Sequence, residues 1–402
     1  MEYAITPKKR ISSIDALRGF ALFGILLRHC IEHFDLTYTP ELSSPFWQVV
    51  DNWTVYIIEF LFAGKAYAIF SLLFGLSFFM QMESQAGKGV DFRWRFVWRL
   101  FLLFVLGYLN GLIYMGEFFV VYAILGIFLI PLFKVPTKWL LIIACLLFLQ
   151  IPDLISFISL MSGKSPNEPT HLVIYMGQLF DKAASIFING SFTDMIKFNL
   201  WQGQLAKLLW VFNNARYLQL IGLFIIGMII GRYGIHKSEE KIIKYSRKIL
   251  PYSLIFFTIF YGIVLLLPLS GVEGFALRAG KTLFMTYANL GMTMVFICGF
   301  MLIYYKTKAT SKLDKLAPVG RMSVTNYMGQ AFMGVPLFYG FGANLAVEFS
   351  FLQCLLVGFV IFAVQLSFSN WWMKHYYYGP MEWIWRTATW FKKFPLKRKT
   401  HS

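Results

Sequence analysis

One stretch constrains this chain more than any other: Arg10–Phe34, with the sequence RISSIDALRGFALFGILLRHCIEHF. It is apolar enough to enter a bilayer, yet it carries Asp15, Arg18, Arg28, His29, Glu32 and His33. A charge at the centre of a spanning helix costs about 2.5–3.5 kcal/mol, so such residues mark a pathway or a site. The eleven-residue step from Arg18 to His29 is close to three helical turns, a rise of about 16 Å. The two side chains therefore share a face, and Asp15, Glu32 and His33 fall within about 40° of it. Leu22 and Ile25 occupy the middle, so one side of this helix is polar at both ends with an apolar waist.

The rest of the chain fits the same environment. Of its 402 residues 58% are hydrophobic and only 14% charged, far from the quarter charged of a soluble domain. The expected fold is all-α: a polytopic membrane bundle of about ten transmembrane helices forming one domain over residues 1–402. The net charge of +17 does not point to nucleic acid, because the basic residues sit in short loops between apolar runs, as the positive-inside rule requires. Cys30, Cys145, Cys298 and Cys354 all lie in apolar runs and read as packing residues without a disulfide framework.

Spans are expected at about 10–34, 66–82, 96–114, 118–133, 139–160, 208–230, 252–269, 282–305, 323–339 and 351–372. The first is read as a retained span, not a cleaved signal. Lys8, Lys9 and Arg10, the cluster Lys88–Arg99, Lys134 and Lys138, the run 232–248 and the tail through Lys399 place both termini in the cytoplasm. Residues 35–60 read as an outer loop with an interfacial helix, and 161–207 as an extracytoplasmic loop with an amphipathic helix around 171–187. Residues 374–402 read as an interfacial helix, with Trp383 and Trp385 in a membrane belt, followed by a basic cytoplasmic tail.

Several polar sets lie inside this apolar frame. A planar, permanently charged guanidinium at Arg18 suits a phosphate-bearing donor arriving from the cytosol, and the imidazole of His29 suits general-base work on a hydroxyl or amine. The run His29–His33 matches H-x-x-E-H, an inverted zinc-site spacing; no third ligand offers itself, and no metal is expected. Glu32 or Glu117 is the expected orienting partner of an imidazole. Arg99 and Asn110 repeat the eleven-residue spacing in the third span, with Glu117 at the outer turn. Arg95 and Arg99 serve topology first and phosphate binding second. In G-R-M-S-V-T-N-Y-M-G-Q, Ser323, Asn326, Tyr327 and Gln330 make one polar helix face behind Arg321, open to both a substrate-binding and a packing reading. Glu382 and Arg386 are an i,i+4 pair on the final helix.

These residues carry a resemblance. The opening motif, S-L-L-F-G at Ser71–Gly75, R-L-F-L-L-F-V-L-G at Arg99–Gly107, the Gly320–Gln330 motif and Y-G-P-M-E-W-I-W-R at Tyr378–Arg386 resemble the YeiB-like bacterial membrane proteins, or domain of unknown function 418. That family is similar to the transmembrane acyltransferases. Their O-acetylating group is marked by Arg, ten residues, then His in the first span, a spacing that Arg18 and His29 reproduce. YeiB-like chains generally carry Asn at the position of His29, and His and Asp at those of Asn110 and Glu117.

The resemblance implies an enzyme of the bacterial cytoplasmic (inner) membrane. It would move an acyl group, acetyl in the enzymes it is similar to, from cytosolic acyl-CoA to an extracytoplasmic hydroxyl or amine. Asp15, Arg18, Arg95, Arg99 and Arg321 would hold the donor. His29, with Asn110 and Glu117, would perform the chemistry, as base or as transient acyl carrier. Glu32, His33, Ser323, Asn326, Tyr327 and Gln330 would meet the acceptor. Membrane lipids, acyl-CoA and a cell-envelope glycan or small molecule are the partners implied, with a homodimer as one arrangement. The alternative is a transporter or exporter of a small solute that performs no acyl chemistry.

Overall fold

The computed structural model describes residues 11–36, 44–164 and 168–398. The basic flanks at Lys8, Lys9, Arg10 and Lys399 lie outside these residues. The chain enters through α1 (Ser12–Ile31), α2 (Pro45–Phe62), α3 (Ala66–Ala86) and α4 (Arg93–Ile113). It continues through α5 (Phe119–Gly126), α6 (Leu129–Leu132), α7 (Thr137–Phe148) and α8 (Ile151–Met161). Next come α9 (His171–Asn189), α10 (Phe192–Phe198), α11 (Gln204–Asn213) and α12 (Arg216–Arg232). The long α13 (Glu239–Leu266) and α14 (Gly274–Lys306) follow, then the short α15 (Thr310–Leu313) and α16 (Ala317–Arg321). The chain closes with α17 (Ser323–Phe338), α18 (Leu345–Glu348), α19 (Phe351–His375) and α20 (Pro380–Trp390). Among the described residues there is no strand, only an isolated bridge between Tyr376 and Lys397.

Among the described residues six helical stretches are long and apolar enough to cross a membrane, or seven if the bent pair of Phe192–Asn213 and α12 forms one. This is fewer than the ten spans expected from the sequence, and the reasons are local. In α1 Asp15, Arg18 and Arg28 interrupt the apolar run. The 118–133 region is split into α5 and α6, and α17 has 16 residues. α1 tolerates its charges because it is the centre of the bundle, packed against α2, α3, α14, α16, α17 and α19. Its approach to α16 is backbone-close: a Cβ on Gly320 would lie 1.8 Å from the Asp15 carbonyl oxygen, so only glycine fits there.

The expected outer loops are largely helical. α2 exposes Phe46, Trp47, Trp53, Tyr56 and Ile57, while its buried Asp51 accepts the N–H groups of Phe351 and Leu352 at the start of α19. The amphipathic helix expected around 171–187 is α9, which buries Met176, Leu179, Ala183 and Phe187 at three- and four-residue steps. The polar stretch around it adds α10 and α11. The final helix is not a loose surface anchor. Trp385 and Trp98 donate across to the Arg99 and Ala388 carbonyls, and Arg95 to that of Thr389, joining α20 to α4.

Candidate functional site

The polar residues of α1 face the bundle and feed two different places. At the end where α1 and α4 begin and α3 stops, a cavity of about 340 Å³ is lined by Asp15, Arg18, Ser77, Arg99, Tyr122, Arg321, Ser323, Glu382 and Arg386 among apolar neighbours. Asp15 stands between two cations: Arg18 Nη1 is 3.0 Å from one carboxylate oxygen and Arg321 Nε 3.4 Å from the other. Arg18 Nη2 also donates to Ser77 Oγ at 3.0 Å. The Arg99 guanidinium lies 3.6 Å from the Trp385 ring centroid, and Arg386 packs over the rings of Tyr378 and Phe394. Glu382 is engaged elsewhere. It accepts from the backbone N–H groups of Val324 and Thr325, at 2.6 and 3.1 Å, and from Thr325 Oγ at 2.6 Å. It therefore caps the first turn of α17 instead of pairing with Arg386. Four guanidiniums against two carboxylates leave the lining two positive charges in excess, which favours an anion bearing phosphate or carboxylate groups.

The second place is three turns further along α1. His29 Nδ1 is 2.8 Å from the Tyr114 hydroxyl, and its Nε2 is buried with no partner. The rings of Phe34, Tyr114 and Tyr327 surround it. The chain then turns sharply: His33, Phe34 and Asp35 all have positive φ, which brings the Asp35 carboxylate and the Tyr114 hydroxyl together over Gly116. Around the corner, Asn110 is 1% exposed, with neither amide atom bonded. Glu117 accepts from the N–H groups of Phe119 and Val120. It stands 3.8 Å from Lys207, whose ammonium donates to Gln204 at 2.9 Å. Gln204 packs in turn against Gly111. The orienting partner of His29 is thus a tyrosine hydroxyl, not the glutamate expected from the sequence.

Other sequence candidates lie elsewhere. Glu32 pairs with Arg28 at 2.5 Å, and Arg28 also reaches Glu59. His33 stacks on Phe351 and Phe338, turned away from His29 by the left-handed bend. Arg95 is not among the cavity residues; it lies over Trp390 and Phe391. The polar face of α17 divides. Ser323 lines the cavity. Asn326 bonds Ser369 and the Val319 carbonyl, and Gln330 bonds the Leu22 carbonyl and Gln365, so both tie α17 to its neighbours. Tyr327 packs on Phe119 with ring centroids 4.6 Å apart and planes tilted by 43°, and its hydroxyl accepts the Phe118 N–H. Since Phe119 lines the cavity and Tyr327 touches His29, this pair of rings stands between the two polar places. Among the described residues no group of three or more His, Cys, Asp or Glu is placed to hold a metal ion.

Residues 230–392 match the family described as "Protein of unknown function (DUF418)", a segment that contributes Arg321, Ser323, Glu382 and Arg386 to the cavity. The uncharacterized protein YeiB of Escherichia coli (strain K12) is 25% identical, across 95% of this chain and 96% of its own length. The chain is similar to YeiB over nearly its whole length, and its 230–392 segment to the DUF418 family. The uncharacterized protein YxaH of Bacillus subtilis (strain 168) is 27% identical over 98% of this chain and 97% of its own. An uncharacterized 39.9 kDa protein in the amylase 3' region of Bacillus acidopullulyticus is 26% identical over 98% of each. No solved structure matches.

In this YeiB-like chain, sequence reasoning passed over Asp35, Tyr114, Gln204 and Lys207. A signal existed for Tyr114, which follows Asn110 by one helical turn and so shares its face. None existed for Lys207. It lies 90 residues beyond Glu117, and the fold alone brings it there.

Proposed function

We propose that this YeiB-like protein is an integral acyltransferase of the bacterial cytoplasmic membrane, with ten spans and both termini cytoplasmic. In this reading α1, the α5–α6 pair and α17 cross the bilayer inside the bundle, screened by their more apolar neighbours. The donor is an acyl-CoA such as acetyl-CoA. The acceptor is a hydroxyl or amine on the outer side, for example of a cell-envelope glycan.

The observation that carries the reading is the pairing along one helix of an arginine-rich cavity and a histidine whose Nε2 is buried without a partner. Arg99, Arg321 and Arg386 would hold the phosphates of the donor, with Arg18 fixed at the wall by Asp15 and Ser77. Tyr114 holds the His29 ring through Nδ1, which leaves Nε2 to take the proton of the acceptor. The acceptor oxygen or nitrogen then bonds to the acyl carbon, the thioester C–S bond breaks, and the proton passes to the departing thiolate. Asn110, with its amide unbonded, is the donor available to the developing oxyanion. For donor and base to meet, the Phe119–Tyr327 pair must part.

The test is transfer of radiolabelled acetyl from acetyl-CoA in proteoliposomes. Wild type is expected to transfer and His29→Ala not to; equal transfer by the two removes His29 from the mechanism. The same ring pair between two polar compartments would also suit a gate, which keeps the transport reading in play. Counterflow of an unmodified solute without consumption of acyl-CoA would favour it.

A further inference from the structure

A third polar place lies outside both compartments, where a span breaks. The helical stretch Phe192–Asn213, which ends in α11, meets α12 at 74°, across Ala215, whose backbone is left-handed with φ 46°. Backbone broken inside a membrane bundle persists where it is buried in protein or lines a polar site. The break leaves the first N–H groups of the 17-residue α12 directed outward along its axis, and no side chain caps them.

The first residue of α12 is Arg216. Its Nη1 donates to three neutral oxygens: Tyr67 Oη at 3.2 Å, Gln219 Oε1 at 3.2 Å and Thr286 Oγ1 at 3.4 Å. Its Nε is buried with no partner. Asp153 lies near enough to feel the Arg216 charge, yet no ion pair joins them, and its Oδ2 has no partner. Gln219 is 1% exposed. Its carbonyl oxygen is taken by Arg216 and by the Tyr67 hydroxyl at 2.7 Å, and its Nε2 is left beside them without an acceptor. A guanidinium, a buried amide and a helix N-terminus therefore converge with donors to spare, which is the complement of an oxyanion. Half-helix N-termini at broken spans hold anionic groups in this way.

We infer that the α11–α12 break is an anion site for a phosphoryl group, held by Arg216, Gln219 Nε2 and the first turn of α12. It shares no residue with the arginine-rich cavity and does not depend on the acyl-transfer reading. The phosphoryl group comes either from a phospholipid headgroup or from free phosphate.

The test is thermal melting of the full chain in a phosphate-free detergent, titrated with phosphatidylglycerol, with diacylglycerol as its phosphate-free control, and separately with inorganic phosphate. Stabilisation by phosphatidylglycerol alone assigns the site to a lipid, and stabilisation by inorganic phosphate assigns it to a soluble ion. In either case Arg216→Gln is expected to weaken half-saturation about tenfold or more. If Arg216→Gln does not fold, Gln219→Leu, which keeps the guanidinium and removes the orphan donor, carries the comparison. No stabilisation by either probe, or equal stabilisation of wild type and variants, overturns the proposal.

Discussion

Lys207 and Glu117 are 3% and 0% exposed at their side chains and stand 3.8 Å apart. Removing one partner of a buried pair leaves the other charge uncompensated, a loss of about 3–5 kcal/mol, whereas replacing both together is far milder. Lys207→Met is therefore expected to lower the melting temperature in detergent sharply, and Lys207→Met with Glu117→Gln to recover much of the loss. A double variant no better than the single one would show that the pair is not coupled. His29 makes a different kind of prediction. In the proposed role it contributes the about 10²–10⁴-fold typical of a general base, so His29→Ala should abolish transfer while leaving stabilisation by CoA intact. Tyr114→Phe removes the hydroxyl at 2.8 Å from Nδ1 and should impair turnover while leaving CoA binding unchanged. Asn110 and Gln330 looked equivalent along the sequence as buried amides. The fold separates them, because Gln330 is spent on Leu22 and Gln365 while Asn110 is bonded to nothing.

Among the elements, α20 shows how one chain segment acts on another. Its Glu382 supplies the cap that α17 lacks in its own sequence, since Met322 precedes Ser323 and offers no acceptor to the first turn. Glu382→Ala is expected to destabilise the protein by about 2 kcal/mol and to weaken binding in the adjoining cavity; unchanged melting would show that water satisfies those N–H groups equally well. The α3–α12 crossing is a second case. A Cβ on Gly75 would lie 1.9 Å from the Phe224 carbonyl oxygen, and one on Gly227 2.0 Å from that of Leu72. The two backbones touch, as small residues permit between membrane helices. Gly75→Val should therefore fail to give folded protein on size exclusion, because the obstacle is backbone and not a side chain able to move.

At the scale of the whole molecule, the basic loops and the two polar ends of α1 imply a direction across the bilayer. In the proposed topology, a cysteine placed at Gly163 in a cysteine-free background should react with an impermeant maleimide in intact cells, and one at Lys397 should not. The reverse pattern would invert the proposed entry side of the donor. In the proposed ten-span arrangement, burial inside the bundle takes the place of uniform hydrophobicity. α1 and α17 are surrounded by other helices, so they need neither uniform hydrophobicity nor full span length.

Periodicity and composition determined by themselves that this chain is helical, apolar and membrane-like, that α1 carries its polar residues on one face, and that α9 is amphipathic. These are properties of residues three or four apart on one helix, and sequence spacing reports them directly. The tertiary structure alone decided which polar groups meet. Tyr114 with His29, Lys207 with Glu117, Glu382 with α17 and Arg216 with Tyr67 and Thr286 join residues 57 to 149 positions apart. Such pairings depend on which helix faces pack together and on where a chain bends, as at His33–Asp35 and Ala215. No periodic signal along the chain encodes either of these.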